Sequence, residues 1–181
     1  MKKIFVKELM IPISKYVSVK KTDTLVDVLQ ALELARDENE HAHRDAIVVN
    51  TDGSFLGKVT MIDIFRALEP NYKKMMSKSG AGTLTKAFVM KAVKEFNLWI
   101  EPEADICHRG ARKTVAEVMH TPRSVEFLQE DDTLEKALNL YVMGIHQPLI
   151  VKSGETVTGV LRFGDMFEVV RKELLSCNID Q

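Results

Sequence analysis

The chain has 181 residues, 45% of them hydrophobic and 28% charged, with a formal net charge of -1 at pH 7 and a pI near 6.5. This composition suits one globular domain or two small ones sharing a core, and it excludes a disordered chain or one whose main task is coating nucleic acid. No apolar run approaches the roughly 18 residues of a membrane span, and the start MKKIFVKELMIPISK is too charged for a secretory signal, so a cytoplasmic protein without a membrane partner is expected.

In chain order, the segment VKELMIP is followed by an extended stretch, YVSV. TDTLVDVLQALELA then places Leu25, Val28, Leu29 and Leu32 at helical spacing after a Thr/Asp N-cap. AIVVNTDGSFLGKVT reads as a β-hairpin turning at NTDG, and MIDIFRAL as a helix. Lys58 alternates with Val59 on the second strand and is expected to be exposed. The charged stretch ARDENEHAHR reads as an insertion between helix and hairpin. Its His41 and His43 cannot turn both rings to one helix face, so no metal site is expected.

PNYKKMMSKSGAGT carries turn and breaker residues, SKSGAGT reading as a mobile loop. LTKAFVMKAVKEFNLWI is an amphipathic helix with Leu84, Phe88, Val89, Ala92, Val93, Phe96, Trp99 and Ile100 on one half. Six lysines and no acid lie between Pro70 and Lys94. An anionic partner or a membrane surface would suit that sector, but so would a helix packed on the module or its dimer mate with its lysines outward, which is the expected arrangement. The basic stretch CHRGARK reads as a loop or as a phosphate-binding element.

The elements then return. VAEVMHTP precedes the extended stretch SVEFL, and DDTLEKALNLYVM is a helix with Asp132 and Glu135 spaced as a capping box. PLIVKSGETVTGVLR is a second hairpin and GDMFEVVRKELL a second helix. Met10 answers Met119, Thr24 answers Thr133, Ile47 answers Leu149, Gly57 answers Gly159 and Asp63 answers Asp165. The expected organisation is a first repeat at 1–68, a helical linker at 69–113, and a second repeat with its C-terminal helix at 114–181.

In order and in duplicate, VKELMIP and VAEVMHTP, TDTLVDVLQAL and DDTLEKALNLY, GKVTMIDI and GVLRFGDM resemble a tandem pair of cystathionine-β-synthase (CBS) domains, a Bateman module. The resemblance implies an α+β fold of two pseudo-symmetric repeats packed through their sheets, with clefts that hold AMP, ADP, ATP or S-adenosylmethionine. The family pattern G-h-h-T/S-x-x-D is met in full by Gly57, Thr60 and Asp63, Asp63 being the expected ribose acceptor. The second copy keeps Gly159 and Asp165 but has Arg162 at the hydroxyl position, where a guanidinium would either bind phosphate or pair with Asp165 and fill the cleft. By analogy Tyr16, Val17 and Ile47 would line the adenine, and His108, Arg109 and Arg112 are phosphate candidates.

From spacing alone T-x-x-D is also a helix cap, with Thr60 at the N-cap and Asp63 at N3; cap and ribose would compete for Asp63. No nucleophile elbow, P-loop or Ser/His/Asp spacing is present, so a non-catalytic module is expected, without a cofactor beyond a regulatory nucleotide. The resemblance further implies a homodimer that signals to an effector protein. The alternative is a dimerisation scaffold whose clefts are both closed. Cys107 and Cys177 form no C-x-x-C pair and read as free thiols.

Overall fold

The computed structural model describes residues 3–38, 44–69, 71–78, 85–98 and 103–176. Along the chain run β1 (Ile11–Pro12), β2 (Ser18–Lys20), α1 (Leu25–Glu38), β3 (Ala46–Val49), β4 (Phe55–Val59) and α2 (Met61–Leu68). Next come α3 (Asn71–Lys78), α4 (Lys86–Phe96), α5 (Glu103–Ala111) and α6 (Val115–Val118). β5 (Phe127–Gln129), α7 (Leu134–Val142), β6 (Leu149–Ser153), β7 (Thr156–Leu161) and α8 (Phe163–Ser176) complete the described fold. His41, His43, the GAGT stretch, Leu84, Trp99, Ile100 and Cys177 lie outside the described residues. Among the described residues no helix is long and apolar enough to cross a membrane.

The chain forms two compact units, one of residues 18–120 and one of residues 1–17 with 121–181. In the first, the apolar run AIVV becomes the central strand. β3 pairs in parallel with β2 and antiparallel with β4, Ile47 standing between Ser18 and Lys58. The hairpin turns where Gly53 takes φ +82°, a conformation that glycine adopts without steric cost, and its N–H donates to the carbonyl of Asn50 at 3.0 Å. Helix α1 starts in a reciprocal cap: Thr24 N–H donates to Asp27 Oδ2 at 2.7 Å, and Asp27 N–H to Thr24 Oγ1 at 3.2 Å. Leu25 and Val28 are buried, whereas Leu29 is 49% exposed, so the helix buries a narrower face than its spacing predicts.

The second unit repeats the design in a sheet of order β1-β7-β6-β5. Its core gathers Val6, Leu128, Leu134, Ala137, Leu149, Val151, Leu161 and Met166, and Tyr141 of α7 ties the two hairpin strands together. Its hydroxyl donates to the carbonyl of Leu161 and accepts from the N–H of Leu149 at 3.1 Å. The cap of α7 is Thr133, which accepts from Lys136 N–H at 3.4 Å, and not Asp132 as the spacing suggests. Asp132 sits one residue too early. It closes the preceding turn by accepting from Gln129 N–H at 2.8 Å, as Asp23 does from Lys20 N–H at 2.8 Å. The register also moves one correspondence: Ile47 lies beside Ser18, and Ile150 beside Phe127, so Ile47 answers Ile150 rather than Leu149. The two hairpin turns differ by one residue, which sequence matching absorbs at the wrong place.

Each leading segment joins the unit that holds the other copy's hairpin. Val6 N–H donates to the carbonyl of Asp132 at 2.9 Å and Lys7 N–H to that of Glu130 at 3.0 Å, while Val115 N–H donates to Asp23 at 2.8 Å and Ala116 N–H to Lys21 at 3.0 Å. Ile11 pairs with Val160 as His120 bridges Lys58. The exchange places β4 between two hydrogen-bonded neighbours, and Lys58, expected to be exposed, is fully buried. A strand at the edge of its hairpin has become an interior strand.

The region 69–113 is more helical than its breakers suggest. Glu69 accepts from Asn71 N–H at 3.0 Å and so starts α3 within the PNYKKMMSK stretch, whose lysines and methionines favour helix. CHRGA closes α5 instead of forming a loop. Helix α4 is capped by Thr85, which accepts from Phe88 N–H at 3.1 Å, and ends at Asn97 in the left-handed region with φ +49°. It buries Ala92, but Val89 and Val93 of the predicted apolar half are exposed, at 44% and 40%.

The exchange rests on two glycines. A Cβ on Gly57 would stand 2.7 Å from the carbonyl oxygen of His120, and one on Gly159 2.8 Å from that of Ile11 and 2.7 Å from Met10 Sδ. Gly57→Ala and Gly159→Ala should each destabilise the protein by about 1–3 kcal/mol in urea titrations. Unchanged midpoints in both variants would show that the leading segments yield without cost.

Candidate ligand site

Strand β4 ends at Val59, and Thr60 turns the chain into α2 with an extended backbone. Thr60 N–H donates to Asp63 Oδ2 at 3.0 Å, Thr60 Oγ1–H donates to the same oxygen at 2.6 Å, and Asp63 N–H returns to Thr60 Oγ1 at 3.4 Å. The capping reading of T-x-x-D is therefore realised. It draws on Oδ2 alone. Oδ1 lies 3.8 Å from Nη1 of Arg66, one helical turn on, and a carboxylate oxygen can accept more than one hydrogen bond. Thr60 and Asp63 are 7% and 6% exposed, a low dielectric in which a polar contact is strengthened.

Beside this cap lies a pocket of about 290 Å³. Asp63, Arg66 and Ala67 of α2 form one part of its lining, Tyr72 of α3 another, and Glu117, Val118 and Met119 of the leading segment a third. An adjoining concavity of about 370 Å³ shares Arg66 and Tyr72 and adds Ile62 and Phe65. An acidic acceptor, a guanidinium and an aromatic ring thus face one opening, a set suited to a ligand with hydroxyl groups, negative charge and a flat apolar part. Arg66 and Tyr72 do not emerge from the repeat pattern. Arg66 could have been found from its i+3 spacing to Asp63, but Tyr72 stands in a stretch that reads as a turn.

Glu117 caps α6 by accepting from Thr114 N–H at 2.9 Å and Thr114 Oγ1–H at 3.0 Å. The backbone bond first, then the hydroxyl bond and the nearby Lys113 charge, hold its carboxyl below its ordinary value.

The other sequence candidates are distributed as follows. Gly57 and Ile47 are buried in the sheet of the same unit, Ile47 at 1% exposure. His108 and Arg109 lie on α5, which packs on α2, with Gly110 against Leu68; Arg112 follows the helix and is exposed. None of His108, Arg109 and Arg112 lines either pocket described above. Tyr16, buried, and Val17, half-buried, belong to the other unit.

At the equivalent turn of the second copy, Arg162 replaces the threonine. Its Nε donates to Asp165 Oδ2 at 2.8 Å and its Nη2 to Oδ1 at 2.7 Å, so one guanidinium occupies both carboxylate oxygens. Gly159 is buried in β7 against β1, as its counterpart is against the 119–120 segment.

Residues 6–70 match the family model described as "CBS domain". Among solved structures, a CBS domain-containing protein of unknown function from Bacillus anthracis str. Ames Ancestor superposes with a TM-score of 0.60 at 17% identity, covering 94% of each chain. The chain has the CBS-pair fold. CBSX2 of Arabidopsis thaliana, solved in complex with AMP, gives a TM-score of 0.58 at 17% identity, over 94% of this chain and 98% of that one. The CBS domain of a bacterial CNNM/CorC family Mg2+ transporter, solved in complex with ATP, gives 0.54 at 19% identity, over 93% and 87%. No curated protein matches the sequence. Identities this low establish the fold alone, and within it the first CBS repeat carries Gly57, Thr60 and Asp63.

Because the Glu117 carboxyl is held down in the folded state, it adds stability above its ordinary value that is lost as pH falls through the folded one. Glu117→Gln should be less stable than the parent near neutral pH, and the two should converge on acidification below about pH 4. Urea midpoints measured across that range check this; a gap that does not narrow would remove the carboxylate from the account.

Proposed function

We propose that the protein is a non-catalytic regulatory module that binds an adenosine-containing ligand, AMP, ADP, ATP or S-adenosylmethionine, at the Thr60–Asp63 turn of its first CBS repeat. The observation that carries this reading is the division of labour at Asp63, where Oδ2 serves the helix cap while the carboxylate lines a pocket shared with Arg66 and Tyr72. A ribose diol donates to such a carboxylate, and Arg66 offers a cation to a phosphate. The AMP complex of CBSX2 and the ATP complex of the CNNM/CorC CBS domain support this ligand class. In the second repeat Arg162 satisfies Asp165 in both oxygens, so one ligand per chain is the expected stoichiometry.

The module works as a homodimer and passes its ligand state to an effector protein. A second reading, a ligand-free dimerisation scaffold, draws on exposed apolar side chains at equivalent positions of the two hairpin-following helices. Met61 and Phe163 are 46% and 43% exposed, and Phe65 and Phe167 are 52% and 57% exposed.

Thermal denaturation with each of the four ligands separates the readings. A ligand at roughly 100 times its Kd stabilises by about 2.7 kcal/mol, so at least one should raise the melting temperature. Asp63→Ala should abolish that rise and Asp165→Ala should leave it. If ligand-stripped protein responds to none of the four, the scaffold reading stands. Arg162→Thr should release Asp165 and raise the stoichiometry measured by calorimetry from one towards two; a stoichiometry still at one would mean that Arg162 does not close the second site.

A further inference from the structure

Helix α3 lies beyond the residues matched as a CBS domain, yet among the described residues it supplies the one aromatic side chain of the pocket that Asp63 lines, Tyr72. Its attachment to α2 is short and well bonded. Glu69, 4% exposed, donates its N–H to the carbonyl of Phe65 at 3.2 Å, accepts Asn71 N–H on its side chain at 3.0 Å, and accepts Tyr72 N–H on its carbonyl at 3.1 Å. Phe65, two residues after Asp63 on α2, is therefore joined to Tyr72 through Glu69 by successive backbone hydrogen bonds. Downstream, α3 packs on α4, whose outer face presents Val89, Met90 and Val93 at 44%, 64% and 40% exposure. Lys86, Lys91 and Lys94 are exposed on the same helix.

We propose that Tyr72 stacks on the flat base of the bound ligand, so that filling the pocket orders α3 and the α4 packed against it. The inference rests on the nucleotide reading above and adds a regulated element to it: the α3–α4 pair, absent from the repeat pattern, becomes the part of the chain that reports occupancy. The chemistry is that of an aromatic side chain against a nucleobase, which tolerates Phe in place of Tyr but not an aliphatic residue of similar bulk.

The test uses the full chain with AMP, ADP, ATP and S-adenosylmethionine in turn, by calorimetry and by backbone hydrogen exchange with and without saturating ligand. Tyr72→Phe should bind within about twofold of the parent, and Tyr72→Leu on the order of 10-fold more weakly. Ligand should slow exchange across 71–78 and 86–96 in the parent and in Tyr72→Phe, and much less in Tyr72→Leu even at saturation. If the parent binds a ligand through Asp63 while Tyr72→Leu binds equally well, or while exchange in α3 and α4 does not change, this inference falls and the nucleotide reading remains. If the parent binds none of the four, both fall.

Discussion

The backbone of each leading segment lies so close to a hairpin strand that the strand must carry glycine at the crossing. At Gly57 and Gly159 the missing Cβ leaves room for the carbonyls of His120 and Ile11. From this approach follow the second hydrogen-bonded neighbour of β4, the burial of Lys58 and the placing of Glu117 and Met119 beside α2. Were the segment held off by a methyl group, the pocket at Asp63 would lose one of its walls. The same glycine thus belongs to folding and to the candidate site, and its value to the ligand is indirect.

The two copies are a comparison within one chain. Their backbones repeat even in small devices, such as the aspartate that closes the turn before each first helix. At the residue that starts the second helix they differ in kind, Thr60 in one copy and Arg162 in the other. Threonine bonds to one oxygen of Asp63, whose carboxylate lines a pocket, whereas arginine bonds to both oxygens of Asp165 and pairs with its charge. A hydrogen bond and an ion pair at equivalent positions are enough to give two similar folds different chemistry.

Much of this was open to reading from residues in order. The hairpins follow from apolar runs broken by NTDG and KSGE, and the helices from caps and spacing, because those signals act within a few residues of each other. Residue order is ambiguous where local signals compete. Asp132 and Thr133 both suit a cap, and the turn before α7 claims the aspartate. PNYKKMMSK reads as a turn until Glu69 caps it into a helix. Arg66 was within reach, three residues from Asp63; Tyr72 was not, since its place in the pocket depends on how α3 leaves α2.

Residue order therefore carries the duplication, the hairpins and helices of the two copies and the contrast between Thr60 and Arg162, all of which rest on side-chain chemistry and contacts along a short stretch of chain. It does not carry the exchange of leading segments, the burial of Lys58, or the meeting of Asp63 with Tyr72, Glu117 and Met119. Those join residues as far apart as Lys58 and His120 through backbone hydrogen bonds, and backbone groups are the same at every position, so no residue type announces which partner they will find.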